Sequence, residues 1–243
     1  MYVREVDHKP LTFTVPSTVW RNDLVFKDRE SGSLWSHHSM KSIAGKHAGV
    51  ELAMYPYVLT TWGAWRRLHP DSLVVDKTET WVAGSRKNLW DSYFSNSDLT
   101  GQLGLGNPDP RLEGKAVMTA VRHGNSSTVF PQAELKKQPV VNETVGDTAV
   151  VVACDKVGHG AAVWRREARG QVLDFEEAPS EADMACMRDR QTGTIWHALD
   201  GHAVRGPMKG CTLTQVPSVT GYWFAWATHY PKARVWRADP GAR

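Results

Sequence analysis

The sequence predicts a mainly β protein, a β-rich α+β fold made of two pseudo-symmetric copies of one strand-rich unit, each with a short Trp-containing helix. Three observations predict it. First, Asp28-Arg29-Glu30-Ser31-Gly32-Ser33-Leu34-Trp35 returns as Asp189-Arg190-Gln191-Thr192-Gly193-Thr194-Ile195-Trp196. Gly45, Gly49, Leu52, Pro56, Trp62, Trp65 and Pro70 recur at the same spacing as Gly206, Gly210, Leu213, Pro217, Trp223, Trp226 and Pro231. An ungapped match carried by Trp, Gly and Pro indicates a repeated supersecondary unit. Second, apolar runs are short and turn residues dense, which favours strands. Third, eleven tryptophans in 243 residues offer large apolar anchors for the core of each unit.

Residues 11–15, 23–26, 115–121, 148–153 and 170–175 are rich in β-branched or aromatic residues, are bounded by Gly, Pro, Asn or Asp, and read as strands. The polar breaks at 122–127 and 167–170 read as hairpin connections. Thr60 and Thr61 can cap a helix over 62–69, with Trp62 and Trp65 on one face and Pro70 ending it; 223–230 before Pro231 repeats the arrangement. A helix this short is unstable alone, so its tryptophans are expected to pack it onto a sheet. Trp35, Trp62 and Trp65 should therefore occupy positions equivalent to Trp196, Trp223 and Trp226.

This divides the chain into a first repeat over 1–87, a connector with its own strands over 88–145 that includes a loop at 101–110, and a second repeat over 146–243, all in one continuous body. The second repeat is preceded by a strand pair at 148–166, whereas the first begins almost at Met1 and lacks that opening hairpin. The place could be filled by a partner or by a second copy of the chain.

Composition excludes several function classes. The 29 basic and 26 acidic residues are spread along the length, so no basic stripe marks a nucleic-acid binder. No run approaches the eighteen or so apolar residues of a membrane span, and the opening eight residues lack the apolar stretch of a signal peptide; the compartment stays open. Gly101-x-x-Gly104-x-Gly106 has the wrong order for a dinucleotide fingerprint, Gly158-His159-Gly160 precedes a strand-like segment, and no P-loop or G-x-S-x-G occurs. No nucleotide cofactor is expected. The three cysteines, Cys154, Cys186 and Cys211, include no C-x-x-C pair.

The string from Arg21 through Asp28-Arg29-Glu30-Ser31-Gly32-Ser33-Leu34-Trp35 to Thr61-Trp62-Gly63-Ala64-Trp65 and His69-Pro70-Asp71, and its second occurrence ending in Tyr222-Trp223-Phe224-Ala225-Trp226-Ala227-Thr228-His229-Tyr230-Pro231, resembles domain-of-unknown-function family 3179 of bacteria and archaea. The resemblance implies a mainly β protein, often exported, with a Cys-Pro-x-Cys element in the hairpin opening a repeat. Here only Cys154 of that element is matched, which puts two-cysteine chemistry in doubt.

Two constellations remain. Asp28 and Arg29, with Ser31 and Ser33, and Asp189 and Arg190, with Thr192 and Thr194, suit a turn in which the carboxylate accepts backbone N–H bonds. That turn is the favoured reading; the alternative beside Trp35 and Trp196 is an anion or sugar site, since guanidinium forks onto anions and indole stacks on rings. His197, His202 and Cys154 could converge on a transition metal. His37 and His38 are adjacent, a spacing that on a strand sends side chains to opposite faces. The chain thus reads as a non-catalytic module for a small molecule or protein partner, or alternatively as a metal-assisted redox enzyme using His and Cys side chains.

Overall fold

A computed structural model describes residues 1–39, 41–75, 91–101, 106–156, 160–181 and 184–239. The first part of the chain forms β1 (Glu5–Val6), β2 (Lys9–Pro10), β3 (Phe13–Thr14), β4 (Val19–Trp20), β5 (Asp23–Asp28), β6 (Leu34–Ser36), β7 (Ser42–Ala44), α1 (Trp62–Leu68) and α2 (Asp91–Ser95). Next come β8 (Val117–His123), β9 (Ser126–Pro131), α3 (Gln132–Leu135), β10 (Val140–Val145), β11 (Thr148–Cys154) and β12 (Ala161–Arg165). The last part forms β13 (Glu167–Ala168), β14 (Gln171–Val172), β15 (Phe175–Glu181), β16 (Met184–Asp189), β17 (Ile195–His197), β18 (Ala203–Arg205), β19 (Ser218–Tyr222), α4 (Trp223–His229) and β20 (Arg234–Val235). The fold is mainly β, as expected. Each expected strand holds a strand, although 170–175 is broken in two: β14 stops at Val172, Leu173 is buried, and β15 starts at Phe175. Residues 102–105 of the expected loop lie outside the described residues.

Two sheets have the same build. In one, the order is β3-β5-β6-β7; in the other it is β15-β16-β17-β18. Each is preceded by a small hairpin, β1-β2 or β13-β14. At the centre of each sheet a buried carboxylate fixes a Trp ring. Asp28 accepts hydrogen bonds from the Ser31 amide (2.5 Å), the Ser31 hydroxyl (2.7 Å) and Trp35 Nε1 (2.8 Å). Asp189 accepts from the Thr192 amide (2.6 Å), the Thr192 hydroxyl (2.8 Å) and Trp196 Nε1 (2.9 Å). A second hydroxyl extends each knot: Ser33 Oγ accepts from the His47 amide and Thr194 Oγ1 from the Met208 amide. That loop comes so close that a Cβ at Gly45 would stand 2.7 Å from the Ser33 Cα, and one at Gly206 2.7 Å from the Thr194 Cα. With φ of 95° and 108°, both positions require glycine.

The apolar surroundings also match. Leu11, Trp35 and Leu52 cluster with Tyr2, Phe13 and Phe26; Leu173, Trp196 and Leu213 cluster with Trp164, Phe175 and Met187. The β10-β11-β12 sheet then joins two cores. Val151 and Ala153 face the Trp196 cluster, while Val150, Val152 and Cys154 face Phe130, Leu135 and Trp236. Burial on both faces is why 149–154 reads as one continuous apolar run.

The two helices differ in a way the repeat does not predict. Both end alike, with Tyr230 N bonded to Trp226 O and His69 N to Trp65 O, and with the Trp226 ring tilted against Tyr230 at 4.3 Å as Trp65 is against His69 at 4.1 Å. Yet Trp223 and Trp226 are 0% and 2% exposed, whereas Trp62 and Trp65 are 50% and 41% exposed. The expectation that Trp62 and Trp65 anchor a core as Trp223 and Trp226 do is therefore corrected. Met118, Ala120 and Val129 of β8 and β9 cover the α4 tryptophans, and Trp62 and Trp65 join no buried cluster among the described residues. Trp226→Ala should thus cost about 3–5 kcal/mol and Trp65→Ala less than half of that, measured as the shift in urea midpoint at constant slope.

Candidate functional site

Between β4 and β5 the chain turns in two residues, Arg21 and Asn22, both left-handed (φ 52° and 60°), as a tight hairpin demands. The turn pairs Trp20 with Asp23 and brings Asp23 to the edge of the sheet. Across from it β6 ends at Ser36, and the chain turns through His37, His38 and Ser39. Once off the strand, adjacent side chains are no longer held on opposite faces, and the two imidazoles turn towards the same carboxylate. The last residue of α4, His229, closes the far side by lying over Trp20 at 5.6 Å and stacking on His38 at 5.8 Å.

Asp23 is the hub. Its side chain is 1% exposed, and its Oδ2 accepts from the Ser36 hydroxyl (2.5 Å) and the His38 amide (3.0 Å). Its Oδ1 faces His38 Nδ1 at 3.0 Å and His37 Nδ1 at 4.0 Å. One ligand atom from each of Asp23, His37 and His38 lies within 4.8 Å of the others. His229 Nε2 stands 3.7 Å from Asp23 Oδ2 on a side chain only 5% exposed, and it has no hydrogen-bond partner. Burial by itself would raise the Asp23 pKa, but hydrogen bonds from the His38 ring, the Ser36 hydroxyl and the His38 amide outweigh it and hold the carboxyl below its ordinary value. Burial lowers the pKa of His37, reinforced by His38, and burial also lowers that of His229. Both rings are thereby biased to the neutral, ligand-competent form. The His37 side chain is 50% exposed and borders a cleft of about 300 Å³ with Tyr2, Tyr57 and Asn22.

The residues singled out from the sequence are placed differently. Asp28 and Asp189 are wholly buried under Trp35 and Trp196, with their oxygens taken up within their own turns. Arg29 is exposed, and Arg190 is exposed and paired with Glu176 (3.1 Å). His197 hydrogen-bonds Asp200 at 3.3 Å and His202 hydrogen-bonds Thr212 at 2.9 Å. Cys154 is buried, with its thiol donating to the Leu135 carbonyl. Among the described residues, His197, His202 and Cys154 do not gather into a three-ligand group; Asp23, His37 and His38 do. All three cysteines are free thiols.

Asp23, His38 and His229 are not marked by the repeated motif, which singles out polar residues that recur at the repeat spacing. The usable signal was the opposite one. At the repeat spacing Asp23, His37, His38 and His229 correspond to Met184, Ala198, Leu199 and Leu68, so each of the four polar positions has an apolar residue at its counterpart.

A family model described as "Protein of unknown function (DUF3179)" matches residues 1–233 of the chain. No curated protein and no solved structure matches it.

Burial first of all, reinforced by Asp155, pushes the Cys154 thiol up to about 12, so at pH 8 only about one part in ten thousand is the reactive thiolate. Iodoacetamide at pH 8 should therefore modify the half-exposed Cys211 and leave Cys154 untouched until the protein is unfolded, as peptide mass mapping would show.

Proposed function

We propose that this chain, which belongs to the DUF3179 family, is a metal-centred ligand-binding protein that holds a divalent first-row transition ion on Asp23, His37 and His38, with His229 as a further ligand. The observation that carries this reading is the convergence of one carboxylate and two imidazoles within 4.8 Å. Mixed imidazole and carboxylate donors suit such ions better than they suit calcium or magnesium, which take oxygen ligands. Partial exposure of His37 leaves a side of the site open to a ligand, as in metal sites that bind or activate a molecule rather than only staple the fold. The redox alternative keeps its metal in this scheme but not its thiols, since no cysteine belongs to the cluster.

The two-copy organisation, with repeats over 1–87 and 146–243 flanking the connector, belongs to the same proposal. Equal knots at Asp28 and Asp189 support it, and so does the packing of the helices. α4 of the second copy brings Phe224 and Ala225 to the cleft with His37 and His38, while α1 of the first brings Ala64 and Leu68 to a small cleft with Met184 and Leu199. Each helix thus lies on the other copy's sheet edge. In this scheme the duplicated edge became a metal site on one side and an apolar contact on the other.

Elemental analysis of protein purified without a His tag should find about one transition metal ion per chain. Titration of the chelator-treated protein with Zn(II) or Co(II) should show that Asp23→Asn and His37→Ala each weaken binding by more than the roughly 10–100-fold that loss of an outer-shell partner costs. His202→Ala should bind like the parent. Parent-like binding by both cluster variants would overturn the assignment.

A further inference from the structure

In the second half of the chain, α4 packs against a four-stranded sheet of order β19-β8-β9-β20. The outer strands are the segments that lead into and out of the helix, and the inner two are the β8-β9 hairpin. β20 runs parallel to β9, and Trp236 N donates to Val129 O at 2.8 Å. At the repeat spacing β19 corresponds to residues 57–61, α4 to α1, and Arg234-Val235-Trp236 to Leu73-Val74-Val75. The chain leaves both helices by the same turn, with Ser72 N donating to His69 O and Ala233 N to Tyr230 O. Yet 57–61 forms no strand, and Leu73, Val74 and Val75 are 98%, 69% and 90% exposed, with no backbone hydrogen bond to any described residue. An unpaired edge thus follows a helix whose Trp62 and Trp65 are themselves exposed, and edges and apolar faces of this kind are where other chains add strands.

We infer that α1 and residues 73–75 receive a β-hairpin from another polypeptide, which pairs with 73–75 and covers Trp62 and Trp65 as β8-β9 pairs with β20 and covers Trp223 and Trp226. The inference rests on the two-copy organisation and not on the metal. The matching place identifies the occupant, because there the same helix and exit segment are completed by a hairpin. Recognition would combine main-chain bonds along one edge with an apolar face over the indoles. One difference between the helices adds a charge requirement. Ala227 of α4 belongs to the buried cluster with Met118, Ala120 and Val129, and its counterpart is Arg66, which is exposed and forms no ion pair with any described residue. A wholly apolar hairpin would desolvate that guanidinium without a partner, which is costly, so the incoming hairpin carries a carboxylate opposite Arg66. A second copy is a poor donor of the hairpin: its β8-β9 is already held between β19 and β20, and releasing it would uncover its own Trp223 and Trp226.

The probe is a fluorescent peptide of residues 115–131, the chain's own β8-β9 hairpin, closed by a disulfide between cysteines added at its ends so that little ordering is left to binding. Fluorescence polarisation with the full chain should show binding that a scrambled peptide of the same composition and closure lacks. Trp65→Ala, and Val75→Pro, which removes the N–H matching that of Trp236, should each weaken it about tenfold, with the folded state checked by circular dichroism. Arg66→Ala, which gives α1 the residue of α4, should strengthen it about tenfold, because no guanidinium is then desolvated. No binding by either the parent or Arg66→Ala, or binding that Trp65→Ala and Val75→Pro leave unchanged, would overturn the inference. Sedimentation of the chain alone as a dimer that Trp65→Ala dissociates would do so as well, by giving the face to a second copy. The two-copy organisation is read separately, from Gly45→Ala and Gly206→Ala, which should lower the urea midpoint alike; if they do so while the hairpin does not bind, the inference alone falls.

Discussion

A carboxylate removed from water is tolerated only when its oxygens are fully engaged, and the rest of this structure hangs on two that are. Asp28 and Asp189 each hold a Trp indole N–H, the amide and hydroxyl of the turn, and through a second hydroxyl the loop that follows the next strand. The ring carries the larger share of the apolar burial, but the carboxylate decides where the ring sits. It also sets where β6 must run beside β5, and therefore where β6 can end. Because Ser36 is the last residue of that strand, His37 and His38 emerge opposite the start of β5, where Asp23 stands. The cluster's position thus follows from a bond network on the far side of the sheet.

The strands and helices were legible in the sequence because their signals are local. Turn residues bound each apolar run, and Thr61 caps α1 through its hydroxyl as the spacing implies. The repeat was legible for the same reason that the knots are needed: Asp, Gly and Trp at fixed separation have few substitutes when a carboxylate, a left-handed backbone and a ring must meet. The environment of a helix is a different matter. Whether Trp65 or Trp226 is covered depends on β8 and β9, which precede α4 by about a hundred residues and, among the described residues, cluster with the tryptophans of α4 and not with those of α1. Nothing within residues 62–69 records that.

The candidate site was illegible for two further reasons. Asp23 and His229 lie at opposite ends of the chain, so no spacing rule links them. His37 and His38 are adjacent, and the strand alternation that would part their side chains stops applying at the residue where β6 stops. What sequence reasoning could have used is the difference between the copies. Positions kept in both, such as Asp28 and Asp189, are accounted for by the demands of the shared fold. Positions polar at one place and apolar at its counterpart, such as His229 against Leu68 or His38 against Leu199, are not accounted for by what the two sheets have in common.

The same distinction separates strain from function among the buried polar groups. Asp189 is buried but satisfied, and its burial stabilises a turn. His229 and Trp226 are buried on one short helix with ring nitrogens that meet no partner, although Leu68 shows that the His229 position accepts an apolar residue in the matching place on α1. An apolar substitute would relieve the penalty at no evident cost to packing, and local rules broken without compensation within the protein point to something the protein receives from outside. At His229 the orphan nitrogen stands 3.7 Å from the Asp23 carboxylate that also gathers His37 and His38. On the proposed reading, helix α4 therefore closes the Asp23 cluster on the side that a cation would complete.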